Sequence, residues 1–259
     1  MVINRHIAVL FWIWTRREIR SRFAGSFMGG LWAVLQPVLT VALFYVIFAV
    51  VLQIRIPELA HQAGYFYFLL TGLLPWLSIS EAVSRAAGSL LAQEQFLQKL
   101  AFPKDIIPAA AIVASLPTQV IGSVVLIILL LIVGDTLSLN LLWWPVVFGL
   151  QMLLLLGIGF GLAALAFYIK DLIFALPIVL QIFFYTTPIL YSLEMVPPAY
   201  RSLYLLNPFF PLIEMYHFAF LGLPMQPLTI LAGVVWAMVA AVCGLGFYWL
   251  TRATLGEQP

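Results

Sequence analysis

Charge is what this chain has least of. Asp, Glu, Lys and Arg make up 8% of its 259 residues, against 64% hydrophobic, whereas a soluble domain carries about 25% charged residues. That supply cannot cover a water-facing surface, so the chain reads as one membrane domain with little left over for a soluble one. Cysteine is scarcer still: Cys243 stands alone. An intrachain disulfide and a Cys-based metal site are both excluded, and Cys243 reads as a small apolar helix residue. The three histidines, His6, His61 and His217, lie far apart in sequence. No Gly-x-x-x-x-Gly-Lys-Ser/Thr loop is present, so the chain does not cradle ATP phosphates in the usual way. His-Glu-x-x-His, Gly-x-Ser-x-Gly and paired aspartates within an apolar run are also missing. An intramembrane hydrolase or glycosyltransferase needs ionisable groups converging in the apolar zone. An ion-coupled transporter usually needs carboxylates at broken helices near the midplane. Glu81 is the one candidate within an apolar run, and it lies toward one end. The chain is therefore read as neither an enzyme nor self-energised, with no cofactor or metal of its own. Its net charge of +2 does not suggest nucleic-acid binding.

What is present in quantity is apolar length. Six uncharged stretches, each long enough to cross a hydrocarbon core that needs about 20 residues, are separated by short charged islands. Backbone groups there have no water to bond, so each crossing is expected to be a helix. The predicted spans are 24–54, 63–86, 106–133, 137–168, 172–191 and 226–251. Basic residues are distributed unevenly. Arg5, Arg16, Arg17, Arg20 and Arg22 precede the first span, Arg85 stands at the end of the second, Lys99 and Lys104 lie between the second and third, Lys170 follows the fourth, and Arg252 follows the sixth. The opposite side receives Arg55 and Arg201. Cytoplasmic loops carry the Lys/Arg excess, so both termini are expected in the cytoplasm of a multi-pass inner-membrane protein.

Residues 1–23 read as an amphipathic interface helix. Ile7, Leu10, Phe11 and Trp14 recur at helical spacing while Arg16, Arg17 and Arg20 point elsewhere, the pattern of a helix lying in the headgroup zone. It is either a plain anchor or a lever beside the first span. The apolar patch before the arginines is short and lacks a small-residue cleavage site, unlike a signal peptide. Glu81 and Arg85 form an i,i+4 pair that favours helix modestly. Residues 88–105 are the longest cytoplasmic connection. Glu94, Gln95 and Lys99 alternate there with Phe96 and other apolar residues, and Phe102-Pro103 ends the segment. Such a helix is either a solvated loop element or a ligand for a partner's groove. Residues 192–223 are too rich in proline to cross and too apolar for a free loop, which suits short re-entrant helices buried in protein. Glu214 and His217 stand at i,i+3 within them.

With these residues assembled, the chain resembles the permease subunit of polysaccharide ABC exporters, of the O-antigen, teichoic acid and capsule type, within the wider type-2 ABC permease group. Arg17-Glu18, Arg22-Phe23, Ser26, Met28-Gly29, Trp32 and Pro37 follow the order of that family's opening signature. Gly72-Leu73-Leu74-Pro75-Trp76 is similar to its second-span signature, and Lys99-Leu100-Ala101-Phe102-Pro103 to its cytoplasmic Lys-x-x-Phe-Pro element. Pro188-Ile189-Leu190-Tyr191, Val196-Pro197 and Leu206-Asn207-Pro208 resemble its late motifs. Lys170-Asp171 stands where Arg-Asp is common, His217 where an arginine is common, and Phe23 where a tyrosine is usual.

The resemblance implies a homodimer, two separate ABC ATPase subunits that bind ATP and Mg, and a lipid-linked glycan as cargo. It implies that Glu94, Gln95, Phe96, Lys99, Phe102 and Pro103 belong to the ATPase-coupling element. Trp12, Trp14, Arg16, Arg17, Arg22 and Trp32 would sit at the interface helix and lateral gate. Pro197, Asn207, Pro208, Glu214 and His217 would belong to a periplasmic gate. Aromatic rings bind sugars without fixing one orientation, and Tyr45, Trp76, Phe184, Tyr185 and Tyr191 are candidate lining positions. A small-molecule or drug exporter of the same wider group, and an assembly protein with no conduit, remain alternatives at this point.

Overall fold

The computed structural model describes residues 2–22, 24–54, 56, 59, 64–94, 102–133 and 139–254. Among these the secondary structure is helical, with no strand. Eight principal helices follow in order: α1 (Val2–Ser21), α2 (Gly29–Val51), α3 (Gly64–Ser89), α4 (Ile106–Ile132), α5 (Leu139–Tyr168), α6 (Leu172–Tyr185), α7 (Phe210–Leu221) and α8 (Pro227–Thr251). Five of them, α2, α3, α4, α5 and α8, are long and apolar enough to cross a bilayer. The fifth apolar stretch of the sequence yields only the 14-residue α6, about 21 Å at 1.5 Å per residue. It stops where Thr186 and Thr187 turn their hydroxyls back onto the carbonyls of Ile182 and Phe183 and Pro188 has no N–H to offer.

α3 is the axis of the bundle. It packs against α2, α4, α5, α6 and α7, and 72% of its apolar window is buried, against 6% for α2. α2 is thus a rim helix, with Val34, Val38, Leu39, Leu43 and Val46 exposed. Its start is shaped by Gly25 (φ +80°) and Gly29 (φ +50°), a left-handed backbone that glycine adopts freely. α8 and α5 cross at backbone contact. A Cβ on Gly157 or Gly244 would strike the main chain of the other helix, the use of small residues expected of helices packing in lipid. The π-helical turn Ala241–Leu245 of α8 lies at this crossing.

One polar cluster is sealed in the middle of the bundle. Gln119 of α4 and Gln151 of α5 exchange amide hydrogen bonds (3.0 and 2.7 Å). The Tyr216 hydroxyl of α7 donates to Gln151 (2.6 Å) and accepts from Gln119 (2.9 Å). All three residues are buried. A buried polar group stripped of its partner costs about 1–3 kcal/mol. Gln119→Leu should therefore destabilise the chain by that amount. The triple change Gln119→Leu, Gln151→Leu, Tyr216→Phe, which removes every orphaned group, should recover most of the loss. Thermal unfolding of the three proteins in one detergent checks this, and a triple variant weaker than the single one would contradict it.

Candidate functional site

A cavity of about 700 Å³ opens between α2, α3 and α6. Helical periodicity aims its walls. Gln36, Thr40 and Phe44 repeat at i,i+4 along α2; Leu73, Leu77, Ser80 and Ser84 line one side of α3; Pro177, Gln181 and Phe184 line α6. The two flanking helices each carry a proline at the cavity, Pro37 and Pro177, which deletes one backbone hydrogen bond from each wall. The aromatic part is continuous: Phe184 lies 5.5 Å from Phe44 and 5.7 Å from Trp76 between ring centroids, and Trp76 meets Phe209 edge-on at 5.6 Å. The polar groups along the shaft are uncharged: Gln36, Thr40, Ser80 and Gln181.

Among the described lining residues, charge is confined to one end. Arg22 pairs with Glu81 at 2.6 Å, and Arg85 pairs with Glu18 at 2.7 Å. Arg22 also donates to Thr118 (3.1 Å), and Arg85 to the Glu18 carbonyl (3.1 Å). The i,i+4 contact between Arg85 and Glu81 is the long one, at 4.0 Å. The cluster therefore ties the end of α1, at Glu18, and Arg22 just after it to α3 across the chain rather than along a helix. The Arg85 Nε is buried and has no hydrogen-bond partner among the described residues.

Of the sequence candidates for the lining, Trp76, Phe184 and Tyr185 border this cavity. Tyr45 does not; it meets Phe66 edge-on at 5.5 Å, and its neighbour Phe44 takes the cavity side. Tyr191 lies beyond the end of α6, its hydroxyl donating to the Tyr185 carbonyl (2.9 Å) and lying 3.1 Å from that of Tyr204.

α1 docks by one side. Trp14 is buried with its ring 4.9 Å from Phe102, and Arg17 lies over the Trp14 ring at 4.5 Å. Trp12, Arg16 and Trp32 are exposed. Of the coupling candidates, Gln95, Phe96 and Lys99 lie outside the described residues; Glu94 and Pro103 are half-buried, and Phe102 lies beneath α1. The far end of that connection is tied to α8, where the Tyr248 hydroxyl donates to Asp105 (2.8 Å) and Lys104 donates to the Arg252 carbonyl (3.2 Å). Composition alone gave no signal for these bonds, whose partners are separated by more than a hundred residues.

The segment between α6 and α7 folds back as three short turns, Leu193–Met195, Pro198–Arg201 and Ser202–Leu206. Pro197 precedes the second turn, which Arg201 braces by donating to the carbonyls of Val196 (2.8 Å) and Glu194 (2.6 Å). Asn207 accepts from the Phe209 N–H (2.9 Å) around Pro208 and donates to Thr187 (2.9 Å). His217 stacks on Phe68 at 4.0 Å, with Nδ1 2.7 Å from the Thr71 hydroxyl and Nε2 3.3 Å from the Pro188 carbonyl. Glu214 borders a separate polar cavity of about 100 Å³ with Glu194 and Arg201. Asn207 and His217 thus tie this part of the chain to Thr187, just past α6, and to α3, away from the charged end of the large cavity.

Known proteins match most of the chain. The family described as ABC-2 type transporter matches residues 9–221. The O-antigen export system permease protein of Myxococcus xanthus is 31% identical over 224 residues, 85% of this chain and 84% of the relative. The polysialic acid transport protein of Escherichia coli is 30% identical over 204 residues, 77% and 76% of the two chains. The inner membrane transport permease of Escherichia coli K12 is 27% identical over 248 residues, 90% and 92%. A match that runs from α1 through α7, together with a relative at this identity and coverage, means that the chain belongs to the ABC-2 type transporter family.

Proposed function

We propose that the chain is the membrane half of an ATP-driven exporter that moves a lipid-linked polysaccharide out of the cytoplasm. Two copies would enclose the path, since one copy leaves the cavity of α2 and α6 open on its side. α2, α3, α4, α5, α6 and α8 would be the six crossings, with both termini cytoplasmic in the inner membrane. α7 and the short turns before it would dip into the outer leaflet and close the path there. ATP would be hydrolysed on two separate subunits that press on residues 88–105 and thereby tilt α2 and α6.

The observation that carries this reading is the wall of the large cavity: aromatic and uncharged polar along its length, charged only at one end. Sugar rings lay their C–H faces on aromatic rings, and neutral hydroxyls and amides exchange hydrogen bonds without holding one pose. A polymer can slide past such a wall where fixed charges would trap it. The names of the Myxococcus and E. coli relatives point to the same class of cargo.

The test is to reconstitute the chain with its ATPase in vesicles and compare ATPase stimulation by a lipid-linked O-antigen with that by amphipathic drug cations. Stimulation by the glycolipid is expected; stimulation by the drugs alone would support a small-molecule exporter instead. Within the same assay Phe96→Asp should uncouple hydrolysis from export. Phe102→Asp is expected to disturb the seat of α1 as well, because Phe102 packs on Trp14.

A further inference from the structure

The C-terminal end of α8 is bonded to two connections that lie far apart in sequence. On one side is the junction of residues 88–105 with α4. There the Tyr248 hydroxyl donates to the Asp105 carboxylate (2.8 Å), and the Lys104 Nζ donates to the Arg252 carbonyl (3.2 Å). On the other side is Tyr168, the last residue of α5, whose hydroxyl meets that of Thr254 and donates to the Thr251 carbonyl (3.4 Å). Residues 169–171 follow, and α6, a wall of the large cavity, starts at Leu172.

We infer that Tyr248, Asp105 and Tyr168 are positioning residues that strap residues 88–105 to the foot of α6 through the end of α8, so that a push on that connection reaches the cavity wall. The inference rests on the reading of the chain as part of an ATP-driven exporter and adds the route taken by the drive.

Three observations carry it. The first is what Asp105 forgoes. An aspartate directly before a helix ordinarily accepts from the N–H of the second or third helical residue. Here the third is Pro108, which has no N–H, and the Asp105 carboxylate makes no cap bond. It turns instead to a tyrosine 143 positions away. The second is burial. Tyr248 is fully buried, its ring edge-on to Phe160 of α5 at 4.9 Å. Water cannot replace the carboxylate at its hydroxyl, and a buried donor left without its acceptor is costly. The third is stiffness. α8 crosses α5 with main chains in contact at Gly157 and Gly244, so no layer of side chains separates the two helices there to absorb a displacement. A movement of Lys104 and Asp105 therefore passes to α8 and α5 together, and Tyr168 delivers it to α6. Lys104 adds to the hold, since the last carbonyls of a helix lack intrahelical partners and favour a cation.

The test uses the full-length chain reconstituted in vesicles with its ATPase, with export of a labelled lipid-linked O-antigen measured beside ATP consumption. Tyr248→Phe should keep hydrolysing ATP yet export about tenfold less glycan per ATP, the factor carried by one hydrogen bond to a charged group. Asp105→Ala should do the same, and Tyr168→Phe should lower the ratio about fivefold, as for a neutral hydrogen bond. Asp105→Asn, which keeps an acceptor oxygen, should stay near the unaltered protein. A bond that only holds the fold predicts less folded chain with glycan per ATP unchanged, and that result in Tyr248→Phe would overturn the strap. A second measurement needs no cargo. In a Cys243→Ser background, maleimide labelling of Gln181→Cys, exposed on the cavity side of α6, should change rate when ATP and vanadate are added, and Tyr248→Phe should suppress that change. An undiminished response in Tyr248→Phe would overturn the strap, as would the lack of any response with Tyr248 in place. A response that Tyr248→Phe suppresses, in a transporter that glycolipid does not stimulate, would sustain the strap and count against the polysaccharide reading alone.

Discussion

Glu81→Leu should lower the stability of the folded chain by about 3 kcal/mol, because it removes the carboxylate that offsets Arg22 in a largely dehydrated setting. The two side chains retain 16% and 22% of their exposure and stand 2.6 Å apart. That exposure places the cost at the lower end of what breaking a buried pair produces. Arg22→Leu alone should cost less, since Glu81 keeps the more distant Arg85 at 4.0 Å, though the bond to Thr118 goes with it. The double variant is the informative one. Both charges then leave together, and the loss should fall short of the two single losses summed by about 1–2 kcal/mol. Thermal unfolding of the four proteins in one detergent gives the coupling. Additivity within about 0.5 kcal/mol would mean that the pair does not hold α3 to the segment behind α1. A consequence for export follows, because Glu81 stands where the charged end of the cavity meets its uncharged shaft. The Glu81→Leu protein should fail in transport out of proportion to the amount of folded chain that remains.

The same four charges show where sequence reasoning reaches and where it stops. Glu81 and Arg85 are visible as an i,i+4 pair because helical spacing is a local rule. In space the stronger partners are Arg22, 59 positions earlier, and Glu18, 67 positions before Arg85. No periodicity links those positions; only the docking of α1 on α4 and of α2 along α3 does. Long apolar helices are legible for the opposite reason, since bilayer thickness imposes one length on every crossing. α6 is the instructive exception. Its composition continues apolar through Leu190, yet hydroxyl capping at Thr186 and Thr187 and the missing N–H of Pro188 end it at Tyr185. Among lining residues, Trp76 and Phe184 are reachable from the sequence as aromatics within spans. The choice between Phe44 and Tyr45 is not, because adjacent residues on a helix differ by about 100° and the rotation of α2 is set by its packing on α3. The Gln119–Gln151–Tyr216 cluster is silent in sequence for a similar reason: three polar residues on three helices reveal nothing until the helices are side by side.

Gln181→Trp should abolish export while leaving ATP hydrolysis by the assembled transporter in place. Gln181 is exposed on the cavity side of α6, opposite the Ser80 and Ser84 side of α3, so an indole there fills open space rather than a packed core, and the fold should tolerate it. The obstruction lies in the shaft, remote in sequence from residues 88–105. A polymer that slides through is therefore halted without disturbing the proposed contact with the ATPase. Ser84→Trp, at the charged end of the same cavity, should do the same to entry. Val179→Trp is the control: it sits about 160° around α6 from Gln181, exposed and outside the lining, and should export normally. Transport of a labelled lipid-linked glycan into inverted vesicles, measured beside ATP consumption, separates the outcomes. Undiminished export by Gln181→Trp would mean that the cargo does not pass between α2 and α6, and would move the path to another face of the bundle. If hydrolysis fell together with export, α6 would instead be part of the drive, and the aromatic wall would be a packing surface whose movement the ATPase needs rather than a track for sugar.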